Sequence, residues 1–232
     1  MPTAILIDGA YFVHRFRAIE PANAMNPRRA AECAWRWAVL HLSARKPANG
    51  NDHGRGERRE LYRIFFYDCP PLEKKMHNPI TKKLIDFSKS DEAVFRHTLH
   101  SCLLSKRKVA LRLGHLSSDA PWTIKQNCIE SLLKGTVELA DLSADDVRPA
   151  IRQKGVDMRI GLDIASLAYK KQVDQIVLMA GDADFVPAAK LARREGVDFV
   201  LDPMWRSVQK SLNEHIDGLR STCPKPKKGE AT

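Results

Sequence analysis

What most constrains this chain is a short apolar run that ends in an acidic residue and recurs far along the sequence. Ile5-Leu-Ile7 runs into Asp8, and Gln175 to Ala180 runs through Gly181 into Asp182. Runs this short, apolar at nearly every position, suit strands buried on both faces of a parallel sheet. Between and beyond them lie stretches with helical spacing. Ala31, Ala34, Trp35, Ala38 and Leu42 mark a helix over 27–43, and Asp91 is a possible cap for one over 91–104. Further helices are expected over 126–140, 155–171, 184–195 and 206–214. Leu61 to Tyr67 is aromatic and β-branched enough for a strand, 109–116 alternates in the strand manner, and 147–154 and 197–201 read as two more strands. This alternation predicts an α/β class fold, a doubly wound central parallel sheet flanked by helices. The less regular middle region, about 72–146, reads as an insertion between core elements, and 48–59 reads as a loop. A single domain is therefore expected over 1–218, followed by a basic, Pro/Lys-rich, disordered tail over 219–232.

Composition excludes several classes. The chain has 232 residues, 44% of them hydrophobic, which is enough to bury a core without disulfides. The five cysteines (Cys33, Cys69, Cys102, Cys128 and Cys223) are scattered with no CxxC or Cys/His spacing, so they read as reduced thiols rather than a zinc site. No apolar run approaches the roughly 20 residues that span a bilayer, and none resembles a cleaved export signal. A cytoplasmic protein without membrane contact is expected. The 38 Lys+Arg against 28 Asp+Glu give a net charge of +10, a weak prior for polyanionic partners.

In open parallel sheets ligands sit beyond the carboxyl ends of the strands, and acids stand there. Asp8 follows the first strand, Asp157 follows the 147–154 segment, and Asp182 and Asp184 follow 176–180 as Gly181-Asp-Ala-Asp-Phe185, with Asp163 on the helix after Asp157. Converging carboxylates repel one another unless a cation neutralises them. An all-oxygen donor set favours Mg²⁺ or Mn²⁺ over Zn²⁺. Each acid also has a plainer reading. Asp8 before Gly9 suits a turn, Asp184 suits a cap for the helix carrying Pro187, Asp157 suits an N-cap, and Asp163 suits a solvated face. Six residues rotate a helix by about 600°, so Asp157 and Asp163 fall on different faces. His97 and His100 lack a third partner and read as structural or surface groups.

Three segments, Ile7-Asp-Gly-Ala-Tyr-Phe12, Gln153-Lys-Gly-Val-Asp-Met-Arg-Ile-Gly-Leu-Asp163 and Ala180-Gly-Asp-Ala-Asp-Phe-Val-Pro187, resemble in order the motifs of the NYN domain, specifically its LabA/DUF88 branch. The resemblance covers about 1–68 and 147–205. It implies a PIN-like fold and an acidic metal cleft of the kind used by ribonucleases, with metal ligands at Asp8, Asp157, Asp182 and Asp184 and a catalytic set that adds Asp163. The family's Asn three residues after the first Asp is Tyr11 here, which with Phe12 could stack on a base or pack in the core.

The expected function is a Mg²⁺- or Mn²⁺-dependent endonuclease, a ribonuclease hydrolysing single-stranded RNA with a metal-activated water. Lys154, Arg159 and Tyr11 are expected to contact the nucleic acid. The alternative is a nucleic-acid-binding regulatory module with little or no catalysis. The tail and insertion would permit a homo-oligomer or a regulatory protein partner. A phosphatase with Asp8 as nucleophile is weak, since Ala10 stands where its second Asp would be. A dinucleotide site is weaker, since no GxGxxG follows the first strand.

Overall fold

The computed structural model describes residues 2–43, 58–117 and 121–226. The loop expected over 48–59, apart from Arg58 and Arg59, and the end of the tail, 227–232, lie outside the described residues. Among these residues, six strands build the central sheet: β1 (Pro2–Asp8), β2 (Glu60–Asp68), β3 (Val109–Leu113), β4 (Gln175–Met179), β5 (Asp198–Asp202) and β6 (Gly218–Leu219). All pair in parallel, in the order β6-β5-β4-β1-β2-β3. From β1 the chain builds outward through β2 to β3, then returns to place β4 on the other side of β1. That reversal makes a topological switch point between β1 and β4, where the strand ends open a crevice.

Among the described residues, seven α-helices accompany the sheet: α1 (Gly9–Ile19), α2 (Pro27–Leu40), α3 (Asp91–Leu104), α4 (Gln126–Leu133), α5 (Val156–Tyr169), α6 (Val186–Arg194) and α7 (Lys210–Asn213). Alternate residues of β1 feed two cores. Ile5 and Ile7 pack with α1, α2 and α3 on one face, while Ala4 and Leu6 pack with α5 and α6 on the other. Both faces being covered explains why the strands read as continuous apolar runs.

Several elements differ from the sequence expectation. Helix α1 was not anticipated, because Tyr11, Phe12, Val13 and Phe16 are poor helix formers on intrinsic propensity. Packing decides instead: Phe12 lies 5.7 Å from Trp37 and 5.9 Å from Phe66, ring centre to ring centre. The strand expected over 147–154 is two short antiparallel ribbons outside the central sheet, Val147–Pro149 against Trp122–Ile124 and Gln153–Lys154 against His115–Leu116. Helix α4 stops at Leu133 rather than 140, beside Gly135 in the left-handed region (φ 68°). The cap of α3 is Ser90, whose hydroxyl accepts the Ala93 N–H, with Asp91 in the first turn. The region 72–146 is only partly an insertion, since it supplies α3 and the edge strand β3. The residues just after 218 are held in the fold as well. Thr222 Oγ1 bonds Trp37 O at 2.9 Å and Asp202 at 3.2 Å, and Cys223 is buried. All five cysteines are free thiols.

Candidate active site

Asp8 is the last residue of β1 and also the N-cap of α1, its carboxylate accepting the Tyr11 N–H at 3.1 Å. The turn reading and the ligand reading are thus compatible, since one oxygen suffices for the cap. Burial raises its carboxyl to about 6; the charges of Asp157 and Asp68 add to the rise, while the N–H groups of Tyr11 and Ala10 oppose it. Across the switch point, Asp182 follows β4 and accepts the Asp184 N–H at 3.1 Å, capping a single 3-10 turn. Asp157 lies in the first turn of α5. Its carboxyl is raised by desolvation and then by the negative charges of Asp182 and Asp184. Gly155, at φ 78°, makes the sharp entry into α5 that sets Asp157 there.

Asp8, Asp182, Asp157 and Asp184 therefore share one acidic neighbourhood at the switch point. Asp163 does not join it. Two turns along α5, its carboxylate accepts the Tyr67 hydroxyl at 2.8 Å and pairs with Arg112 at 3.3 Å. The helical rotation that separates it from Asp157 turns it toward β2 and β3 instead. Lys154 and Arg159 are exposed and form no ion pair among the described residues.

The residue missed from sequence is Asp68, the last of β2 and wholly buried. Arg96 Nη1 lies 2.6 Å from both of its oxygens, and His100 Nε2 lies 2.8 Å from Oδ2. Burial alone would push this carboxyl up, but the His100 hydrogen bond and the Arg96 charge outweigh it and hold the group below its ordinary value. Asp68 is a second negative charge behind Asp8, already neutralised by the protein. The signal was present: an acid at a third strand end, with Arg96 and His100 at i,i+4 on one face of α3. His100 is structural, as expected, and His97 pairs with exposed Glu73 at 2.7 Å.

A cleft of about 530 Å³ is lined by Asp8, Tyr11, Gly181, Asp182, Arg206, Ser207 and Gln209. Tyr11 is part of its frame. Its hydroxyl donates to Pro203 O at 2.6 Å, and burial lifts the phenol to about 12, so the donor stays protonated. A Cβ on Gly181 would come within 2.4 Å of the Tyr11 ring, which explains the glycine ahead of Asp182. The segment after β5 is strained. Met204 and Trp205 are both in the left-handed region, at φ 47° and 67°, a conformation that costs a non-glycine residue about 1–3 kcal/mol. Buried Arg15 holds Met204 O at 2.8 and 3.2 Å, Asp202 accepts the Met204 N–H at 2.8 Å, and the Trp205 indole donates to Cys223 O at 2.8 Å.

Residues 117–217 match the family model of the NYN domain. This segment is therefore similar to NYN domains, a family within the PIN-like nuclease superfamily. The matched segment contributes α4 to α7, β4 and β5, while β1 with Asp8 comes from outside it and pairs directly with β4. A structure of a Vibrio parahaemolyticus protein of unknown function is similar at 15% identity, covering 94% of this chain and 90% of that one, with a TM-score of 0.44. No curated protein matches the chain.

NYN and PIN-like nucleases generally use divalent metals, so the donor set bears testing against one. Among the described residues, no three His, Cys, Asp or Glu side chains form a ready-made metal shell. The chemistry nevertheless fits a hard cation. The acids supply only oxygen, and burial, with the charges of Asp157 and Asp68, makes the Asp8 carboxylate costly to ionise without a neutralising partner. Mg²⁺ commonly keeps several waters and takes one or two carboxylates together with substrate phosphate.

Proposed function

We propose that this chain is a Mg²⁺- or Mn²⁺-dependent endoribonuclease of the LabA-like type, acting on single-stranded RNA at the switch-point cleft. The observation carrying this reading is that Asp8 and Asp182, from strands that pair directly, line one cleft, with Asp157 and Asp184 electrostatically joined to them. Asp8 and Asp182 would hold the principal cation, and Asp157 and Asp184 would complete the shell directly or through water. When bound, such an ion offsets charge on the phosphodiester oxygens and acidifies water. The protein's own contribution is positioning. The cap bond fixes Asp8, the 3-10 turn fixes Asp182, and the Arg96–Asp68–His100 group removes a competing negative charge behind the site. Asp163 has no direct part in this reading, since its carboxylate serves Tyr67 and Arg112.

The full chain is expected to cleave single-stranded RNA in Mn²⁺ or Mg²⁺ and to stop on addition of EDTA, with electrophoresis of an end-labelled oligonucleotide as the measurement. Cleavage unaffected by EDTA would overturn the metal-dependent reading. The second reading, a nucleic-acid-binding module with little catalysis, is favoured by one observation: the Tyr11 hydroxyl at the D-x-x-N position is committed to Pro203 O. It predicts salt-dependent RNA binding with no turnover in Mn²⁺.

A further inference from the structure

The cleft has a basic side that no motif pointed to. Arg206 lines it together with Asp8 and Asp182, is exposed, and forms no ion pair among the described residues. Arg15 also reaches this loop, but it is buried and its Nε and Nη2 are engaged by Met204 O. We propose that Arg206 is a phosphate-binding residue, receiving a phosphodiester of the nucleic-acid strand held at the acidic site; this rests on the nuclease reading above.

Three observations converge on this assignment. First, a strand phosphate approaching the carboxylates is repelled, and a guanidinium in the same cleft offsets that repulsion while offering a fork matched to phosphate oxygens. Second, the backbone delivering Arg206 is forced into two successive left-handed residues and fastened from four sides. Those fastenings come from Tyr11 at Pro203 O, Arg15 at Met204 O, Asp202 at Met204 N, and Ser221 at Trp205 N (3.0 Å). A loop needed only to join β5 to α7 would have no use for such restraint. The Arg206 N–H in turn bonds Pro203 O at 2.9 Å, closing the turn that aims the residue. Third, Ser207 and Gln209 continue the same wall with side chains able to bond sugar or phosphate. Tyr11 thereby gains a role other than base stacking: its hydroxyl positions this loop.

The test uses the full chain carrying Asp8→Asn, in which cleavage is expected to be about a thousandfold slower, and a fluorescent oligouridylate followed by anisotropy from about 50 to about 200 mM KCl. Adding Arg206→Ala is expected to weaken binding about tenfold at the low-salt end and to reduce the slope of log K against log salt by about 0.7, the signature of one lost single-strand phosphate contact. Arg206→Lys should keep the slope and recover part of the affinity. Tyr11→Phe, which leaves the guanidinium but removes the hydroxyl bond to Pro203 O, should weaken binding with the slope unchanged. Equal affinity and slope in the Arg206→Ala protein would overturn the assignment while leaving the nuclease reading intact. If the Asp8→Asn parent binds no oligonucleotide and the wild-type chain cleaves none, both fall together.

Discussion

Replacing Asp8 by Asn is expected to lower the single-turnover rate of RNA cleavage by about a thousandfold, which corresponds to roughly 4 kcal/mol of lost transition-state stabilisation. The substitution separates activity from folding cleanly. Asn caps a helix as well as Asp, so the bond from the Tyr11 N–H survives. The amide also removes a carboxylate that is costly to ionise where it sits, as its rise to about 6 indicates. The urea midpoint should therefore hold steady or increase while cleavage collapses. A rate within tenfold of wild type would mean that the reaction does not use this carboxylate.

The second large effect is on stability. Arg96→Met is expected to cost about 3–5 kcal/mol in urea unfolding, because it strands the buried Asp68 carboxylate without its main charge partner. The sign of the pH dependence distinguishes this cause from lost packing. In the wild-type protein the folded Asp68 carboxyl is depressed, so its contribution to stability is present above the ordinary carboxylate value and is lost as pH falls through the lowered one. Without Arg96, burial is opposed by His100 alone, and the folded value is expected to rise. The variant should then be closest to wild type in acid and fall further behind as pH increases. Adding Asp68→Asn should restore more than half of the loss. A deficit that is the same at every pH, with no recovery in the double variant, would assign the effect to packing alone.

Legibility in the sequence followed how local the cause was. The apolar runs of β1 and β4, the helical stripe of α2 and the acids after two strands could be read directly, because burial on both sheet faces and strand-end placement are written in consecutive residues. Helix α1 could not, since Phe12 and Phe16 adopt it only to reach Trp37 and Phe66. Asp163 was grouped with the cluster by its place in a motif, yet its partners Tyr67 and Arg112 come from strands distant in sequence. Asp68 was missed because its partners lie on α3, 28 and 32 residues further on. Arg206 sat in an expected helix over 206–214, of which only Lys210–Asn213 forms. The contacts that hold the preceding loop, from Tyr11, Arg15 and Ser221, are tertiary and leave no local trace.

Crystals of the full chain soaked in Mn²⁺ and measured at a wavelength where manganese scatters anomalously interrogate the shared-cation account most directly. A peak in the crevice between β1 and β4, in contact with carboxylate oxygens of both Asp8 and Asp182, is the predicted result. Manganese bound only elsewhere, or a crevice that stays empty under metal concentrations that support RNA cleavage, would contradict it.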